Sequence, residues 1–156
     1  MAEIGPRTTT RYSDNLVMEA VDRAAQEDAR ALRWSGAEPA RVYVAGQKPV
    51  DLRREANGGL ALDVDLLLEE QPAGRVKLGM SCGEECWGWV DVTQRVAELP
   101  VGEWGTLTVP LRCFAEAGAD MGRITIPFAL ESTGALALRL SRTELVAAPE
   151  EVVPCS

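Results

Sequence analysis

Two cysteines, two tryptophans and a carboxylate crowd into Met80–Thr93, MSCGEECWGWVDVT, and no other stretch combines such groups so densely. Cys82 and Cys86 have three residues between them, a spacing open to a metal knuckle or to a local disulfide. A structural zinc site needs a second pair of ligands. Here Cys113 and Cys155 are far apart in sequence and the chain contains no histidine. The disulfide reading is therefore the better one, and no metal ligand is assigned to this stretch. A bridge closing so small a loop removes little chain entropy and acts mainly to fix a turn. Four cysteines suit two disulfides in an oxidising compartment, or four buried thiols in a reducing one. A cysteine as near the end as Cys155 works best as a tether, which favours a Cys113–Cys155 bridge.

Nucleophilic catalysis finds no support. Without histidine, no Ser or Cys has its usual base, and there is no GxSxG elbow. The adjacent pairs Glu69-Glu70, Glu84-Glu85 and Glu150-Glu151 read as solvated charges, because acid–base work needs two carboxylates across a cleft in different environments. No catalytic residue is assigned.

The tryptophans are more informative. In a strand, Trp87, Trp89 and Asp91 point to one side and Val90 and Val92 to the other. Valines in the core put both indoles outward. A pyranose presents a flat CH face that can stack on an aromatic ring, and hydroxyls that pair with carboxylates, amides or guanidinium groups. Trp87, Trp89 and Asp91 are thus candidate carbohydrate-binding residues. Asp63 and Asp65 join them if they share that sheet surface, and Arg53, in the loop DLRREANGG, joins as a donor near the rim. The competing reading is that an adjoining domain or loop covers the two indoles, since large exposed apolar patches are unusual. Trp34 and Trp104 read as core or edge anchors. No cofactor is expected; a structural calcium would have to draw on Glu19 and Glu144 with carbonyl oxygens, although no ligand-loop motif is present.

The elements that position these residues follow from pattern. Residues 1–14 are polar and read as a linker or tail. Over Asn15–Arg33, apolar residues recur at helical spacing in an Ala/Glu/Arg-rich context, which predicts a helix. From Gly36 onward the period is two: Val42/Val44, Leu60–Leu68, Val76–Met80, Leu107–Leu111, Ile124–Leu130 and Leu136–Leu140. Each run ends at a Gly, Pro or Asn-Gly turn. Only Phe114–Asp120 looks like a helical turn. Seven or eight such strands make an all-β fold, an antiparallel two-sheet β-sandwich over 15–147, with a C-terminal tail at 148–156. At this length one domain with a real core is expected. A net charge of −8 excludes nucleic acid and anionic membrane surfaces as partners, and no apolar run is long enough for membrane insertion.

Several stretches together resemble a known module: WSG (Trp34–Gly36), DLRREANGGLAL (Asp51–Leu62), MSCGEECWGWVDVT, EWGTLTVPLRCFAEAGADM (Glu103–Met121) and the ITIPFALESTGALALRLSRTEL that follows. They are similar to the C-terminal galactose-binding-like domain of bacterial exo-1,3/1,4-β-glucanases and β-glucosidases of glycoside hydrolase family 3, over roughly Leu16 to Val146. The resemblance implies a jelly-roll sandwich within a larger periplasmic or secreted hydrolase that releases glucose from β-glucans. It implies strands, not a helix, around Leu16–Val21 and Ala29–Trp34. The implied partners are the catalytic domains of the same parent chain and β-glucan oligosaccharides. The family's catalytic carboxylates belong to domains with no counterpart in these residues.

Overall fold

The computed structural model describes residues 2–3, 11–13, 16–21, 23, 29–46, 48–147 and 153–155. These form β1 (Ala2–Glu3), β2 (Arg11–Ser13), β3 (Leu16–Val21), β4 (Ala29–Trp34), β5 (Ala40–Val44), β6 (Ala61–Glu70), β7 (Val76–Gly83), β8 (Cys86–Asp91), β9 (Trp104–Pro110), β10 (Ile126–Ser132) and β11 (Leu136–Val146). Three short helices interrupt them: α1 (Arg53–Asn57), α2 (Thr93–Ala97) and α3 (Leu111–Glu116).

The period-two residues decide the layers. One sheet runs β1-β5-β10-β7-β8 and the other β2-β3-β4-β11-β6-β9, all antiparallel except for the parallel β1–β5 contact. Val42, Leu78, Met80, Val90, Phe128 and Leu130 from the first sheet meet Met18, Leu32, Val64, Leu66, Leu107, Val109 and Leu138 from the second, all 3% exposed or less. Burying two apolar faces against each other is what makes a pair of half-polar sheets stable.

The sequence pattern misleads at several places. Asn15–Arg33 is not one helix; Leu16–Val21 and Ala29–Trp34 are paired strands, with Leu16 opposite Trp34 and Met18 opposite Leu32. Small aliphatic residues satisfy helical and strand spacing alike, and cross-strand burial outweighs their weak local preference. The helix expected at Phe114–Asp120 instead starts at Leu111, after Pro110, and ends before Gly118, whose φ of +119° a helix cannot continue. α1 and α2 arise where loops were expected. Within residues 1–14, Ala2–Glu3 pairs with β5 and Arg11–Ser13 with β3; the rest of that segment lies outside the described residues.

All four cysteines are paired, Cys82 with Cys86 and Cys113 with Cys155. The second bridge holds the C-terminal segment, where Val153 is buried and donates its N–H to the Thr108 carbonyl of β9 at 2.8 Å. No helix among the described residues is long and apolar enough to cross a membrane.

Candidate functional site

Strand β8 carries the sequence WGWVD at its heart, and each residue has a distinct local job. Gly88 faces inward between the two indoles. A Cβ there would stand 2.2 Å from the Phe114 carbonyl oxygen of α3, so only glycine allows the helix to close against the strand. Val90 and Val92 are buried, as the alternation requires. Trp87 and Trp89 lie on the outer face, half-buried, with ring centroids 4.7 Å apart and planes 10° from parallel. The rings are stacked, so each closes one face of the other.

The neighbouring strand makes room for it. Trp89 is opposite Gly79 of β7, and a Cβ at Gly79 would fall 2.5 Å from Trp89 Cε3. Next in register comes Ala129 of β10, fully buried, and then Tyr43 of β5. Two small residues between two aromatics let the indole lie down across the sheet.

Beside this row runs a second one, made of charges. Arg41 of β5 is opposite Glu131 of β10, Glu131 opposite Lys77 of β7, and Lys77 opposite Asp91 of β8. The signs alternate, which favours every cross-strand neighbour. Arg41 Nε donates to Glu131 Oε2, and its guanidinium carbon sits 4.9 Å from the Trp89 centroid and 5.6 Å from that of Trp87. At such distances a guanidinium is attracted to the indole quadrupole.

Asp91 ends the row and does structural work as well. Its carboxylate accepts from the Thr93 N–H at 2.9 Å and from Arg75 at 3.1 Å. Desolvation opposes ionisation, but the Thr93 hydrogen bonds and the Arg75 and Lys77 charges outweigh it and hold the carboxyl below its usual range. Arg53 stands apart from the stack. It clamps Asp51 through Nε at 3.0 Å and a terminal nitrogen at 2.7 Å, and this clamp lowers the Asp51 pKa to about 2. The 118–123 loop separates α1 from the β7–β8 hairpin: Leu52 donates to the Met121 carbonyl, and the Asp120 N–H reaches Cys82 Sγ at 3.1 Å.

Asp63 and Asp65 do not share this surface. They lie on β6, on the outer face of the other sheet, so the sandwich separates them from Trp87 and Trp89. Alternation places a residue on a face of its own sheet but says nothing about which sheet. There Asp63 accepts from the Thr108 hydroxyl at 2.7 Å. Asp65 accepts from Thr106 at 2.8 Å and pairs with Arg23 at 3.2 Å and Arg142 at 3.4 Å. Trp104 belongs to this side, with the Arg23 guanidinium 4.1 Å from its ring centroid, and Trp34 is a core residue whose indole N–H bonds the Ala40 carbonyl. Glu19 and Glu144 do not meet either. Glu19 aligns through Ala31 with Arg139, two strands away, and Glu144 is five residues further along β11. Among the described residues no group of three or more His, Cys, Asp or Glu is placed to hold a metal ion.

Arg41, Glu131, Lys77 and Gly79 were not found from the sequence. Each sits at a polar or small position of an alternating run, which signals an outward side chain. Only the strand order β5-β10-β7-β8 brings them beside the tryptophans.

The strand order defines a two-sheet antiparallel β-sandwich with an aromatic and charged outer face, and comparison with known proteins gives the family. The chain belongs to the galactose-binding domain-like family (Exop_C), whose model matches residues 3–145. The fold is shared with the extra C-terminal domain (X) of an exo-1,3/1,4-β-glucanase (ExoP) from a Pseudoalteromonas species. That match has a TM-score of 0.69 and 22% identity, and covers 96% of this chain and 80% of that domain. Against the whole glucanase the TM-score is 0.72 at 22% identity, with 94% of this chain matching 17% of the enzyme. A family 30 carbohydrate-binding module of a Clostridium thermocellum cellulosomal cellulase is also similar in fold. Its TM-score is 0.64 and its identity 14%, over 88% of this chain and 85% of the module. No curated protein sequence matches the chain.

Proposed function

We propose that this chain is a non-catalytic accessory module of a β-glucan-degrading glycoside hydrolase, docking on the catalytic domains of its parent chain and engaging β-glucan through the outer face of β8. The observation that carries this reading is the half-buried Trp87–Trp89 stack on a sheet surface rich in hydrogen-bonding charges. Stacked indoles supply the flat apolar surface that a pyranose CH face needs, and the neighbouring charges supply partners for its hydroxyls. The fold likeness to a domain of a glucanase and to a carbohydrate-binding module supports the same direction. Two disulfides favour a periplasmic or secreted setting. The test is titration of the domain with cellotetraose and laminaritetraose, monitored by tryptophan fluorescence and calorimetry. Saturable quenching supports the proposal, and an unchanged spectrum at millimolar sugar refutes the glucan-binding part.

A second reading is a purely structural interdomain module. The same half-burial favours it, since rings already packed on each other and on Arg41 could complete their burial against a partner domain. On this reading Trp87→Ala weakens domain association or full-length stability and leaves glucan preference unchanged.

A further inference from the structure

We infer that the Arg41–Glu131 pair is the hydroxyl-reading half of the sugar site, selecting a pyranose with two adjacent free hydroxyls while the Trp87–Trp89 stack takes its CH face. The inference rests on the proposed carbohydrate-binding role of this face.

The first support is placement. Arg41 and Glu131 come from β5 and β10, yet the guanidinium carbon reaches within 4.9 Å of the Trp89 centroid and 5.6 Å of the Trp87 centroid. Aromatic surface and paired charges therefore form one contiguous patch. A sugar laid on the indoles has its hydroxyl rim beside the guanidinium.

The second is chemistry. A guanidinium carries five N–H donors in a rigid fork, and among the described residues Arg41 uses Nε on Glu131. The fork can donate to two adjacent hydroxyl oxygens. The Glu131 carboxylate, with lone pairs beyond the one used by Arg41, can accept from the same hydroxyls. Charge-assisted hydrogen bonds of this kind carry orientation as well as affinity.

The third is preorganisation. Glu131 on one side and two indoles on the other hold the Arg41 side chain, so little rotamer freedom remains to be lost on binding. The sheet does not rest on this pair alone: its side chains are 39% (Arg41) and 14% (Glu131) exposed, and the β5–β10 ladder has five register pairs of its own.

The experiment compares wild type with Arg41→Lys and Glu131→Gln, using methyl β-D-glucopyranoside, its 3-deoxy analogue and cellotetraose as probes. Lysine keeps the charge without the fork, and glutamine keeps the shape without the charge. Near-UV and exciton circular dichroism follow the Trp87–Trp89 stack in each protein. The expected result is an intact tryptophan signal, a loss of cellotetraose affinity of about ten- to a hundredfold, and loss of the wild-type preference for the glucoside over its deoxy analogue. Variants that bind and discriminate like wild type overturn the inference and leave the carbohydrate reading standing. Weakened binding together with a lost tryptophan signal in both variants also overturns it, because the pair then only supports the stack. Failure of wild type to bind any of the three sugars removes the carbohydrate reading itself, and this inference with it.

Discussion

Trp104 packs against Arg23 on one outer face of the sandwich, while Trp87 and Trp89 pack against Arg41 on the other. The residue types are the same and the outcomes differ. On the six-stranded face the carboxylates are consumed: Asp63 takes a threonine hydroxyl, and Asp65 takes one hydroxyl and two guanidinium groups. On the five-stranded face, Gly79 leaves room for the Trp89 ring, and the Trp87–Trp89 stack lies beside a row of alternating charges, Arg41, Glu131, Lys77 and Asp91. Composition alone does not make a binding face. What matters is whether the strand order brings stacked rings and charges onto one surface.

The largest effects should come from the covalent staples on the two sides. Replacing Cys113 and Cys155 by Ser opens a loop set by a sequence separation of 42 and should cost about 4 kcal/mol in chemical denaturation. Replacing Cys82 and Cys86, with a separation of 4, should cost about 2 kcal/mol. Equal losses would mean that chain entropy does not govern these bridges. Next comes Gly79→Val, whose Cβ collides with the Trp89 ring. It should destabilise by about 1–3 kcal/mol and abolish the exciton signal of the stack. A retained signal would show that the indole does not need the bare backbone of β7.

Trp87→Ala and Trp104→Ala set the faces directly against each other. Each loses aromatic packing, with stability falling by about 1–2 kcal/mol. Only Trp87→Ala should remove the fluorescence response to cellotetraose; a matching loss in Trp104→Ala would erase the distinction between the faces. Asp65→Asn should cost at most about 1 kcal/mol and leave sugar binding unchanged, since its partners are partly solvated ion pairs.

The smallest effect is that of pH. Arg53 holds the Asp51 carboxyl down to about 2 from an ordinary 3.8. A depressed native pKa means that the unfolded chain takes up the proton first as pH falls. Its stabilisation is complete above about pH 4 and is lost as pH drops towards 2. Asp120, lowered by the Gly122 N–H and Arg123, and Asp91 act in the same direction. Carboxyl chemical shifts followed by NMR should show all three aspartates titrating below the ordinary range, with Asp51 near 2. A midpoint near 4 for Asp51 would mean that the Arg53 clamp does not form in solution.

The strands from β5 onward were legible because period-two alternation bounded by Gly and Pro turns has few competing readings. β3 and β4 were not legible from the residues themselves: Leu16, Val17, Ala20, Val21, Ala24 and Ala25 fit a helix equally well until Trp34 and Leu32 are seen opposite Leu16 and Met18. The outward placement of Trp87 and Trp89 was readable from Val90 and Val92. The removal of Asp63 and Asp65 to the opposite face was not, because it depends on strand order.

The order of residues thus specifies an acidic all-β sandwich without histidine chemistry, and a strand that turns two indoles away from the core. Alternation, turn residues and composition act within a few neighbours, and those properties need nothing more. Folding in three dimensions adds the rest: Gly79 leaves room for the Trp89 ring, Arg41 and Glu131 flank the stack, and Asp63 and Asp65 are spent elsewhere. Beyond the Gly79–Trp89 hairpin contact, these contacts join residues some 40 to 90 positions apart, and only the order in which strands close into sheets can bring such residues together.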